Sequence, residues 1–138
     1  MDYIEEVIKD LESTDSEKRE KAVQLLEIIG SKDAEEALLE VLDDESARIR
    51  GLAAKALGNI CELIPEKLLD LIEDDNFFVR GCAVEAIGKI GDEEAIDILV
   101  KKLNDKNGWV QDEAAKALIK IDEPEGLRKL KEWMKNYY

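Results

Sequence analysis

Histidine is absent from the 138 residues, proline and cysteine occur twice each, and glycine eight times. Without histidine the chain lacks the side chain best suited to general-base work near neutral pH, and with it the commonest metal ligand. That also excludes solenoid enzymes that hold iron through histidine and glutamate pairs. No glycine-rich phosphate loop appears, and no serine stands in a G-x-S-x-G frame. The reading is therefore of a protein that is not an enzyme and carries no cofactor. Two cysteines, Cys61 and Cys82, lie far apart within helical patterns, so they read as small buried thiols rather than a disulfide framework or zinc site. No stretch of eighteen apolar residues occurs, and the N-terminal MDYIEEVIKDLE is too acidic for a signal peptide. A cytoplasmic location is expected, with no membrane partner.

What the chain has in excess is helix-forming residues and negative charge. Ala, Leu, Ile, Glu and Lys dominate, 45% of residues are hydrophobic and 39% charged, as in a protein built almost wholly of helices. The abundance of Lys and Glu with little Gln points to a thermophilic source. Thirty-four acids against 20 bases give a formal charge of −14. Such a surface repels phosphate backbones, which argues against nucleic acid, and attracts basic proteins.

The chain repeats itself. IRGLAAKALGNIC recurs thirty residues later as VRGCAVEAIGKIG, and Ala22, Ala53, Ala83 and Ala114 stand 31, 30 and 31 residues apart. Periods of this size mark arrays of stacked supersecondary units. Within a unit, Val79, Ala83, Ala86, Ile87 and Ile90, then Ile96, Leu99, Val100 and Leu103, fall at helical spacing, so each unit is two helices. Gly30, Gly91, Asp122 and the CELIP turn divide the pairs. The acidic turns LDDES, EDDNF and LNDKN separate units and supply helix caps. Helices are expected over 2–12, 16–29, 33–42, 45–60, 65–72, 76–90, 93–103, 108–121 and 124–136. The second unit is one residue short at its inner break, so its second helix should be the shortest. The whole reads as one all-α domain over 1–138, a right-handed α-solenoid of about four and a half antiparallel helix pairs with a period near 31 residues. A half repeat at 1–12 precedes repeats at 13–42, 43–72, 73–103 and 104–138, and is expected to cap the array.

The motif D-x5-R-x2-A-x2-A-[IL]-G, present as Asp44, Arg50, Ala53, Ala56, Leu57 and Gly58 and again as Asp74, Arg80, Ala83, Ala86, Ile87 and Gly88, resembles the short HEAT-like repeats of phycocyanobilin lyase subunits. The resemblance spans nearly the whole chain. It implies that Asp44, Arg50, Asp74 and Arg80 form a structural ladder between neighbouring repeats, with Ser13 and Gln111 standing where the first Asp and last Arg would be. It also suggests, as an alternative function, an accessory subunit of an enzyme or a maturation factor of the chromophore-lyase kind.

Three surface features invite a partner. The second helices, which line the concave side in HEAT-like stacks, should turn outward Glu5 and Lys9, Glu36 and Glu40, Glu66 and Asp70, Asp97 and Lys101, and Arg128 and Glu132. Among them Glu36, Glu40, Glu66 and Asp70 make an unbroken acidic patch. It reads either as a docking surface for a basic protein segment or as an ordinary solvated face of an acidic chain. Phe77, Phe78 and Trp109 gather at the starts of two successive units, read either as an interface hot spot at the edge of that patch or as residues packing back on the adjacent repeat. At the C-terminus Trp133, Met134, Tyr137 and Tyr138 read as a cover for the last repeat or as a weak dimer contact, so a monomer or weak dimer is expected. EDDNF and NDKNG resemble calcium loops, but the sixth position from Asp74 is Val79 and the twelfth from Asp105 is Lys116, so neither is an EF-hand.

The expected function is a non-catalytic interaction scaffold or adaptor that binds a basic protein segment.

Overall fold

The structure, a computed structural model, describes residues 2–137, with side chains through residue 136. Among the described residues nine α-helices occur and no strand: α1 (Tyr3–Asp10), α2 (Ser16–Ile29), α3 (Glu35–Val41), α4 (Ala47–Ile60), α5 (Glu66–Asp70), α6 (Phe77–Ile90), α7 (Ile96–Lys102), α8 (Gly108–Ile121) and α9 (Pro124–Tyr137). The long first helices of the pairs are α2, α4, α6 and α8, of 14 residues each.

Their starts follow from side-chain caps. Asp15, Ser46, Asn76 and Asn107 are in extended backbone, and each accepts a hydrogen bond from a backbone N–H of the following helix. Their ends follow from residues that adopt positive φ, Gly30 at 65°, Gly91 at 77° and Asp122 at 57°. The second unit, one residue shorter, ends α4 differently: Cys61 runs extended into Pro65, and α5 has only five residues. The second helices are shorter than the sequence pattern suggests. α3 and α7 are each preceded by a 3-10 turn, Lys32–Ala34 and Glu93–Ala95, started by Ser31 and Asp92. α5 instead runs on into the 3-10 turn Leu71–Glu73.

The core follows the repeat. Ala53, Ala83 and Ala114 are fully buried and Ala22 nearly so, with Leu26, Leu57, Ile87 and Leu118 beside them. Leu38, Leu68, Leu99 and Leu130 close the same core from the second helices. Small residues let successive first helices approach until backbones touch. A Cβ added at Gly58 would lie 2.8 Å from the Ala86 Cα, and one at Gly88 would lie 2.6 Å from the Ala117 Cβ. This is the α-solenoid that the repeat implies.

Candidate functional site: the two helix layers and their surfaces

Between repeats runs a chain of guanidinium–carboxylate pairs. Arg50 donates from Nε and Nη2 to the two carboxylate oxygens of Asp74 at 3.1 and 3.2 Å, and from Nη1 to the Asp44 carbonyl at 2.8 Å. Arg80 repeats this toward Asp105, at 3.0 and 3.1 Å, and the Asp74 carbonyl, at 2.9 Å. Arg19 does the same toward Asp44, at 2.8 and 3.3 Å, and the Ser13 carbonyl, at 2.9 Å. Each guanidinium thus fastens its own inter-repeat turn and grips the next one. Each aspartate also accepts a backbone N–H two residues on, from Ser46, Asn76 or Asn107, which shapes the turn before the capped helix. Gln111, lacking the fork, keeps only the bond to its own turn, 2.6 Å to the Asp105 carbonyl. The motif named only the two middle units. Arg19 and Asp105 lie one period before Arg50 and one after Asp74, so the spacing itself was the missed signal.

Burial alone would raise the Asp105 pKa. The bond from Arg80, the backbone N–H of Asn107 and the charges of Arg80 and Lys102 together outweigh it, and hold the carboxyl below its ordinary range.

On the second helices Glu36, Glu40, Glu66 and Asp70 are all exposed, and among the described residues none of the four has an ion-pair partner. Asp97 is exposed and lies 3.6 Å from Lys129 of α9. Lys101 is exposed on the same helix. The acidic series is interrupted by Lys67, which reaches Asp43 across the turn at 3.3 Å. A groove between α1 and α3, about 210 Å³ and lined by Ile8, Leu11, Ala37, Val41, Glu40 and Asp44, opens beside Glu40. Arg128, also on this layer, is engaged by Glu125 and Glu132 of its own helix.

The two helix layers pack differently. α4 packs along α6, and α6 along α8, while α3 and α5 meet their neighbours in the second layer only sparsely. In the first layer Gly58 and Gly88 stand against Ala86 and Ala117, which lets the helices approach closely. The aromatic residues stand at the starts of α6 and α8, where the repeat pattern puts them. Phe78 stacks on Trp109 with centroids 6.1 Å apart and planes at 9°, and Phe77 meets Trp109 edge-on at 6.3 Å and 82°. Glycines hold the rings in place: a Cβ at Gly51 would lie 2.5 Å from the Phe78 ring, and one at Gly81 would lie 1.9 Å from the Trp109 ring. Phe78 and Trp109 are half-buried, packing back on the preceding unit, whereas Phe77 is 50% exposed.

Of the C-terminal group, Trp133 is half-buried beside a groove between α7 and α9 and Met134 is exposed. The Tyr137 side chain and Tyr138 lie outside the described residues. Among the described residues no group of three or more His, Cys, Asp or Glu is arranged to hold a metal ion, and no helix is long and apolar enough to cross a membrane. Burial, and then the bond to Glu35, pushes the Cys61 thiol up to about 12; burial, and then the charge of Glu85, does the same for Cys82.

Comparison with known proteins accounts for this architecture. A family model described as HEAT repeats matches residues 4–65 and 65–137. No curated protein sequence matches. Among solved structures, an engineered protein superposes with a TM-score of 0.70 at 25% identity, covering 96% of this chain and 70% of that one. A designed armadillo repeat protein in complex with the peptide (KR)4 gives 0.63 at 26%, covering 96% and 70%. The complex of CpcE and CpcF of phycocyanin lyase from Nostoc sp. PCC7120 gives 0.62 at 22%, covering 91% and 68%, a likeness of fold alone. With paired helices stacked on a glycine and alanine seam and matched over nearly their whole length, this chain belongs to the HEAT-repeat family.

Proposed function

We propose that the protein is an interaction scaffold whose second-helix face holds a basic protein segment. The observation that carries this is the set Glu36, Glu40, Glu66 and Asp70, four exposed carboxylates on neighbouring helices with no ion-pair partner among the described residues. Some carboxylates of the first helices are engaged by cations, as in Glu20 with Arg48 and Glu85 with Lys89. Unpaired like charges raise the local potential. An incoming Lys- or Arg-rich segment relieves it, gaining chiefly in association rate and selectivity. The similar designed armadillo protein has (KR)4 in its complex, which supports a basic peptide as ligand for a stack of this kind. The groove beside Glu40 offers apolar contact for the stems of such side chains.

The test is fluorescence anisotropy with labelled (KR)4. The wild type is compared with a variant carrying Glu36→Lys, Glu40→Lys, Glu66→Lys and Asp70→Lys, both checked by circular dichroism. Binding to the wild type should weaken steeply between about 0.05 and about 0.3 M salt, and the variant should lose affinity by about tenfold or more. Equal binding by both proteins refutes the reading. The accessory-subunit alternative rests on the lyase likeness, which at 22% identity carries fold and not activity.

A further inference from the structure

The first-helix face differs in chemistry from the rest of the molecule. Where the Gly88 backbone meets Ala117 a cleft of about 220 Å³ opens, lined by Lys89, Lys116 and Lys120 against Glu85 and Glu113. Three cations against two anions leave a local excess of one positive charge on a chain of net −14. The arrangement in depth strengthens that excess. The Lys116 side chain is 72% exposed and the Glu113 side chain it pairs with only 10%, so an approaching group meets ammonium before carboxylate. Lys120 is exposed and has no ion pair among the described residues. At a Debye length of about 8 Å such a local potential is felt over the distant negative charge.

At the opposite end of the same helices stand the three rings. Because Gly51 and Gly81 leave slots that Phe78 and Trp109 fill, the aromatic group is held before any ligand arrives, and the half-exposed Phe77 sits edge-on to it. A rigid apolar surface loses little entropy on binding. We propose that this face is a second docking surface, for an acidic protein segment with one apolar or aromatic anchor. The anchor lies on Phe77 and Trp109, and the carboxylates that accompany it reach Lys89, Lys116 and Lys120. Asp112, one turn after Trp109, sets the polarity of the segment by keeping partner carboxylates away from the ring end. From Trp109 to Lys116 and Lys120 the helix rises about 10 and about 16 Å. In an extended segment that places the acidic residues about three to five positions from the anchor. The proposal uses a different layer from the basic-segment surface and stands or falls separately.

The experiment is fluorescence anisotropy with labelled Gly/Ser peptides carrying one Phe and two Glu three, four or five positions away. Matched peptides carry Lys in place of Glu, or Ala in place of Phe. Wild type is expected to prefer at least one Glu peptide over its Lys counterpart by about tenfold or more. Replacing Phe by Ala in the peptide, or Phe77→Ala in the protein, should weaken it about fivefold. The variant Lys89→Glu, Lys116→Glu and Lys120→Glu should lose the preference for Glu while binding (KR)4 as well as wild type does. The inference is overturned if no Glu peptide outbinds its Lys counterpart at protein concentrations up to about 1 mM, far above the range of specific recognition. It is overturned equally if the preference survives the triple charge reversal. Failure of (KR)4 to bind wild type would count against the second-helix reading alone.

Discussion

Removing the Asp105 carboxylate should be among the most damaging single changes in this molecule. In the wild type the side chains of Arg80 and Asp105 are 6% and 4% exposed, joined by two bonds of 3.0 and 3.1 Å. Asp105→Ala leaves the Arg80 Nε and Nη2 without acceptors in a nearly water-free site, takes the acceptor from the Asn107 N–H, and strips Lys102 of a carboxylate 3.7 Å away. Deleting one partner of a buried pair costs about 3–5 kcal/mol, most of it the uncompensated charge that remains. The surviving bonds from Arg80 to the carbonyls of Asp74 and Asp75 place the expected loss near the lower end, about 3 kcal/mol. Urea unfolding followed by circular dichroism measures it. The control is Glu125→Ala, which breaks an exposed, solvent-screened pair with Arg128 and should leave the unfolding midpoint nearly unchanged. The pair also predicts a pH dependence. The folded pKa of Asp105 lies below its unfolded value, so its contribution is complete above the unfolded pKa and is lost as pH falls through the folded one. The wild type should therefore lose more stability than Asp105→Ala on acidification through that window. A loss below about 1 kcal/mol for Asp105→Ala would refute the view that the ladder is an internal fastening.

Two further outcomes follow from the packing and the thiols. Gly58→Ala puts a Cβ 2.8 Å from backbone at Ala86, and overpacking of that order should lower stability by about 1–3 kcal/mol in thermal or urea unfolding, although alanine is the better helix former. Cys61 and Cys82, buried and pushed up to about 12, should resist iodoacetamide at pH 8 in the folded protein and react fully in denaturant, as mass spectrometry would show.

The layout of helices was readable from the chain because the same packing problem recurs every 31 residues or so. Ala53, Ala83 and Ala114 occupy equivalent, fully buried places. The boundaries of the second helices were less so: capping bonds from Ser31 and Asp92 make a 3-10 turn first, a local choice that apolar periodicity does not register. At the surface, periodicity located exposed residues such as Glu36 and Glu66 correctly. The close approach of the first helices was less legible, because the residues that allow it, Gly58 and Gly88, look in the sequence like ordinary members of a motif. The repeat placed Phe77, Phe78 and Trp109 at the starts of first helices, but not the slots that hold Phe78 and Trp109. Their slots at Gly51 and Gly81 belong to the preceding repeat, about thirty residues away in the chain.

The contacts of Gly58 with Ala86 and of Gly88 with Ala117 have a mechanical consequence. With only an alanine methyl between the backbones, the seam has no rotamers to rearrange, so it behaves as a spine. α3 and α5, joined to their neighbours in the second layer by few contacts, are the pages. Any change in the pitch of this array should therefore fan the second helices apart or together about a line of fixed length, and the acidic residues they carry would change their mutual spacing while the aromatic ledge stays where it is.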